Sequence, residues 1–189
     1  MSCETRKTNN VLISDCMGLK QVNVYLEDFG PGSGKITISH ESETWSAYWS
    51  AMGKTTAVDQ FFCRCDEDYL IGCLAPYLQS SIFCGMALQK LARKSVIERR
   101  IGWRHRNYDF DGLEKEEARA LYAMTQELHN ADSIQWLFNR ASTEMNELFG
   151  PEWWNYASDA TKPNPRYQFM CGLIDGVQRA LKSQERTAA

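Results

Sequence analysis

The periodicity of this sequence changes once, at Gly53, and that change restricts the fold more than any other feature. Between Val11 and Trp49 the runs VLIS, QVNVYLEDF, KITISH and TWSAYWS are rich in β-branched and aromatic residues, and turn residues separate them. Successive side chains of a strand point to opposite faces, so Val22, Val24 and Leu26 share one face, as do Ile36 and Ile38. The connection GPGSG, residues 30–34, predicts a hairpin, because its glycines accept positive φ and Pro31 fixes the bend. A small antiparallel β-meander over residues 11–50 is expected.

Beyond Gly53 the period is helical through residues 54–182. AVDQFFCRC and EDYLIGCLA predict two short helices that end before Pro76. A longer helix is predicted from about Ser81 to Ile101, with Phe83, Ala87, Leu91, Ile97 and Ile101 as its apolar positions. Asp111 with Glu114 predicts a capping-box start for the next helix, whose stripe is Leu121, Met124 and Leu128. Asp132 opens another, with Ile134, Leu137, Phe138, Ala141, Met145 and Leu148 on one face and Gly150-Pro151 as the stop. The last helix starts at Pro165 and buries Met170, Leu173, Ile174, Val177 and Leu181. The aromatic stretch PEWWNYASDATKPNP before it is expected to lie across the helical layer, pinned by Trp153 or Trp154. A sheet followed by about five to six helices is an α+β fold.

A chain of 189 residues with 43% hydrophobic content can bury roughly two-thirds of its unfolded surface, so a single domain with flexible ends at 1–10 and 183–189 is expected. Its longest apolar runs fall far short of the roughly 20 residues that span a bilayer, and MSCETRKTNN has no apolar core of a signal peptide. Seven cysteines without a secretory signal predict reduced thiols, and the cytoplasm is the expected compartment.

Several candidate sites can be tested by counting. Gly53-Lys54-Thr55 ends like a phosphate-binding loop, but the glycine required five positions earlier falls on Tyr48; Gly34-Lys35 would need glycine at Phe29 and a hydroxyl at Ile36. Neither is a nucleotide site. Trp45, Ala47 and Trp49 alternate with Ser46, Tyr48 and Ser50, which favours two core tryptophans over a base-stacking platform and leaves Tyr48 outside as a contact residue. Cys63 and Cys65 form a single close pair, with Cys73 and Cys84 alone among apolar residues, and zinc sites ordinarily need two pairs. No metal and no cofactor are expected. The histidines lie in separate segments, and acidic runs such as HESE and RCDEDY suit solvated turns better than acid-base pairs. The chain is not expected to be an enzyme.

The strongest feature outside the core is electrostatic. Lys90, Arg93, Lys94, Arg99, Arg100, Arg104 and Arg106 are opposed in that span by Glu98 alone, a local charge of +6 in a chain whose formal net charge is −3. Trp103, His105 and Tyr108 interleave with the later arginines. That composition suits a nucleic-acid groove or an acidic protein patch, and also a solvated helix paired with the acidic run 109–117. Gly172 and Gly176, four apart on the last helix, allow close approach of another helix, from the same chain or from a second copy.

The segments YLEDFGPGSGKITI, WSAYWSAMG, VDQFFCRCDEDYL and PNPRYQFMCGLIDGVQRAL resemble the small accessory proteins of temperate bacteriophages and prophages, most of them functionally unassigned. The resemblance covers the first half and the final helix. It implies the bacterial cytoplasm, a gene dispensable for building the virion, and a role in meeting host machinery, including host defence. No catalytic residue comes with it. The expected function is therefore non-enzymatic binding that inhibits or redirects a host complex through Lys90, Arg93, Lys94, Arg99, Arg100, Trp103, Arg104, Arg106, Tyr108 and Tyr48. Direct DNA or RNA binding through residues 90–106 is the competing expectation.

Overall fold

A computed structural model describes residues 8–16, 18–102 and 112–188, which form two compact units: residues through Ser80 together with those from Pro165 on, and Ser81–Asn164. The architecture is α+β, with an N-terminal four-stranded antiparallel meander followed by helices.

In the first unit β1 (Asn9–Cys16), β2 (Leu19–Gly30), β3 (Ser33–His40) and β4 (Glu43–Trp49) pair in sequence order. Val24 faces Ile38, and Ile38 faces Trp45, so the apolar positions line up across the sheet on one face. Val22, Val24, Leu26, Ile36 and Ile38 are all buried, as the alternation required. The β2–β3 hairpin turns through Gly32 at φ +73°, where an added Cβ would lie 2.2 Å from the carbonyl oxygen of Gly53. Only glycine fits that close approach.

Helices α1 (Val58–Arg64) and α2 (Glu67–Leu74) follow directly. Asp28 on β2 caps the start of α1 from a distance by accepting the Val58 N–H at 2.9 Å, and Asp66 caps α2 by accepting from Tyr69 N–H at 2.8 Å. The long α8 (Pro165–Ala188) then returns to this unit and lies against β1, α1 and α2. Its stripe of Met170, Leu173, Ile174, Val177 and Leu181 is buried among the sheet's inward residues. Polar ties fix its position. Gln178 donates to the carbonyls of Phe62 and Cys65 at the end of α1, Tyr167 donates to Asp68, and Arg166 pairs with Glu43 at 2.6 Å. At Gly172 an added Cβ would meet nothing within 4 Å, so among the described residues no other helix of this chain closes on that position.

The second unit contains β5 (Ser81–Phe83), α3 (Gly85–Gly102), α4 (Lys115–Met124), a 3-10 helix (Thr125–Asn130), α5 (Ile134–Arg140), α6 (Ser142–Phe149), α7 (Trp153–Asp159) and β6 (Thr161–Pro163). Here the elements differ in detail from the sequence pattern. Residues 81–83 are not the first turn of a helix but a strand paired with Thr161–Pro163, and α3 begins at Gly85. The predicted fifteen-residue stripe is two helices, because Ala141 at φ −134° ends α5 and begins α6. A one-residue break keeps the helical spacing of four, four and three, so Leu137, Ala141, Met145 and Leu148 stay buried in line. Ser133, not Asp132, caps α5 by accepting from Trp136 N–H at 3.1 Å, while Asp132 accepts from the Ser133 hydroxyl. The capping box of α4 joins Glu114 and Glu117; Asp111 lies outside the described residues. The aromatic stretch is itself structured as α7 and β6, and Trp153 is buried in this unit's core. No helix among the described residues is long and apolar enough to cross a membrane.

Candidate functional site

Helix α3 carries all of the described residues of the basic segment. Gly85 starts it at a point of close packing, where a Cβ would sit 2.6 Å from the carbonyl oxygens of Leu128 and Ala131. Leu88, Ala92 and Val96, four apart, form its buried line. This line differs from the expected one: Ile97 and Ile101 are 46% and 54% exposed and stand on the opposite side of the helix with Lys90 and Lys94.

The arginines are used internally. Arg93 donates from Nε to the buried Thr125 hydroxyl at 3.3 Å, and its guanidinium stands 5.2 Å from the centre of the Tyr122 ring. Thr125 in turn donates to the Tyr122 carbonyl at 2.7 Å, and Gln89 donates to the carbonyls of Thr125 and Gln126, so one side of α3 is laced to the 3-10 helix. Arg99 donates to the carbonyls of Glu147 and Leu148 at 3.1 and 3.3 Å. Those groups end α6, which has no basic residue in its own last turn, so Arg99 supplies the cation that this helix terminus favours. Arg100 donates to the Leu113 carbonyl at 3.1 Å, tying α3 to the lead-in of α4. Lys90 and Lys94 are exposed, and Lys94 pairs with Glu98 at 3.7 Å.

Of the remaining predicted contact residues, Trp103, Arg104, Arg106 and Tyr108 lie outside the described residues, as does His105. Tyr48 belongs to the first unit. It is 58% exposed on the outer face of β4, with its ring 5.8 Å from that of Phe29, while Trp45 and Trp49 on the other face are 9% and 7% exposed. The expected facing of β4 is the one found.

Sequence reasoning did not find a groove of about 330 Å³ between α3 and α4. Val96 and Ala118 form its floor, and Ile97, Ile101 and Tyr122 form its apolar walls. Among the described residues, every charged one lining it is a cation: Arg100, Lys115 and Arg119. The available signal was the pair Ile97 and Ile101, which does not share the four-residue line of Leu88, Ala92 and Val96 and so had to face elsewhere.

Among the described residues the two histidines stand apart. His40 in the first unit rests against Phe169 with its Nε2 4.0 Å from Glu41, and His129 in the second sits 2.5 Å from the Gln126 carbonyl. Among the described residues no three His, Cys, Asp or Glu side chains converge to hold a metal ion. Burial pushes the thiols of Cys16, Cys65 and Cys171 up from their ordinary value, with nearby carboxylates adding to the effect, so these thiols are held protonated.

A family model described as a phage family, Phage_phiTE_072, matches residues 1–183. The chain belongs to this phage family. No curated protein and no solved structure matches it. Membership covers both compact units of the phage-family protein, including α3, α4 and the groove between them.

Proposed function

We propose that this phage-family protein is a non-enzymatic accessory protein that acts in the bacterial cytoplasm, where it binds a host macromolecular complex, such as a defence system, and inhibits or redirects it. The observation that carries this reading is the use of the arginines of α3. Arg93, Arg99 and Arg100 each donate to an internal acceptor, and the surface they help to build presents isoleucine and tyrosine between cations. A nucleic-acid groove would aim its guanidinium groups at phosphates, whereas apolar residues framed by cations form the usual core and rim of a protein contact.

Affinity capture from bacterial lysate at moderate salt tests it, and a defined host complex in constant ratio to the folded protein is the expected recovery. Recovery of no partner would refute it. The second reading, direct nucleic-acid binding, is favoured by Lys90 and Lys94, which stand exposed one turn apart on α3. Each neutralised phosphate contributes a slope of about −0.9 in the logarithm of affinity against that of salt. Retention on duplex DNA at low salt, lost in Lys90→Glu/Lys94→Glu, would replace the first reading by the second.

A further inference from the structure

We propose that the groove between α3 and α4 is the docking site for an acidic amphipathic helix presented by the host partner. The inference rests on the protein-binding function above and names the chemistry of the partner. Three observations combine. Ile97 and Ile101, one turn apart, leave about half of their surface in water on a helix that has already buried Leu88, Ala92 and Val96. Tyr122 closes the other wall; the Arg93 guanidinium stands over its ring, and the Thr125 hydroxyl fixes its backbone by donating to its main-chain carbonyl. The described charged lining is of one sign, supplied from both helices by Arg100, Lys115 and Arg119.

These features select among occupants. Phosphate oxygens have no use for a floor of Val96 and Ala118, whereas aliphatic or aromatic anchors at i, i+3 or i+4 and i+7 of a bound helix fill such a trough. The volume of about 330 Å³ accommodates anchoring side chains and leaves the backbone of the partner above the rim. Carboxylates flanking those anchors then meet Lys115 and Arg119. Arg119 already pairs with Glu116 at 3.8 Å, but both groups are exposed, so a partner carboxylate exchanges with Glu116 readily. Charge complementarity thus fixes the partner's sign, and the spacing of the isoleucines fixes its periodicity.

The test uses the full chain and two synthetic helical peptides of about 15 residues, long enough to form a helix on binding. Both carry leucine at i, i+3, i+4 and i+7; one has glutamate at the flanking positions and the other lysine. Fluorescence anisotropy should show the glutamate peptide binding at least tenfold tighter, and Ile97→Asp should remove at least tenfold of that affinity. Lys115→Glu/Arg119→Glu should reverse the preference in favour of the lysine peptide, a gain that a misfolded variant does not produce. Equal binding of the two peptides, or no binding of either, would overturn the proposal. So would a short DNA duplex that binds tighter than the glutamate peptide and is lost in the double variant. Self-association of the chain that Ile97→Asp abolishes would overturn it in favour of a second copy as occupant. Host-complex capture that is undiminished in Ile97→Asp removes the groove and leaves the binding function standing. The peptide result needs no host partner, so it judges the groove even where capture fails.

Discussion

Trp45 and Trp49 stand on the buried face of β4 and Tyr48 on the face toward water, an arrangement set by the period of two. Alanine in place of either tryptophan should lower unfolding free energy by about 3–5 kcal/mol, the range for a deleted buried aromatic, whereas Tyr48→Ala should change it by less than about 0.5 kcal/mol. Chemical denaturation of the three variants checks this, and the reverse ranking would mean that the strand is inside out. Two glycines give opposite signs for one substitution. At Gly85 a new methyl group meets three backbone carbonyls within 2.8 Å, which cannot move aside as a flexible side chain would, so Gly85→Ala should destabilise by about 1–3 kcal/mol. At Gly72, exposed within α2, the methyl group meets nothing within 4 Å, and Gly72→Ala should stabilise by about 0.5–1 kcal/mol through helix propensity alone. Paired thermal melts test both. The facing of Trp45 and Tyr48 was legible in the sequence because alternation is a local property. The need for glycine at position 85 was not, since the carbonyls that exclude a side chain lie more than forty residues along the chain.

Among the elements, the four strands, α1, α2 and α8 follow their sequence patterns closely, whereas α3, α5 and α6 do not, and the difference has a physical source. Pro165 and an unbroken apolar stripe define α8 from within. In α3 two apolar lines compete, and the tertiary packing against the 3-10 helix selects Leu88, Ala92 and Val96, which expels Ile97 and Ile101 into the groove. The break at Ala141 has no breaker residue to announce it; spacing alone reads straight through. The polar ties of α8 carry a pH dependence. Tyr167 donates to Asp68 on α2, and that hydrogen bond raises its phenol to about 12 from the ordinary 10. The folded state therefore holds the proton more tightly than the unfolded one. Its contribution is fully present below pH 10 and is lost as pH rises through about 12. Absorbance titration should show one phenol titrating near 12 that is absent in Tyr167→Phe. The stability difference between the parent and that variant should be flat below pH 10 and shrink above it. A difference that shrinks below pH 10 would refute the assignment.

At the scale of the whole molecule, chain order and packing diverge. A run of helices after a sheet reads as one helical layer, yet α8 returns to the meander while α3 to α7 build a core of their own, with Leu88, Leu137, Met145 and Trp153 at its centre. An apolar stripe states that a helix has a buried face, not which surface covers it, so this division could not be read from periodicity. The connection itself is informative. The second unit is inserted between Ser80 and Pro165, and its ends lie close together, since Ser81 lies opposite Pro163, the residue before its last, across the β5–β6 ladder. Paired strand residues stand about 5 Å apart, so the chain leaves and re-enters the first unit at neighbouring points. Replacing Ser81–Asn164 by a short Gly/Ser linker should therefore leave the ends of the first unit at their native separation. It should also leave intact the core that the meander, α1, α2 and α8 form together, because none of its buried residues is drawn from the excised span. The expected product is a monomeric chain with dispersed NMR resonances and a single cooperative unfolding transition. Trp45→Ala in that shortened chain should lower its stability by the same amount as in the parent, as additivity requires of a site whose neighbours are unchanged. A shortened chain without a cooperative transition would show that the meander and α8 depend on the inserted unit to fold.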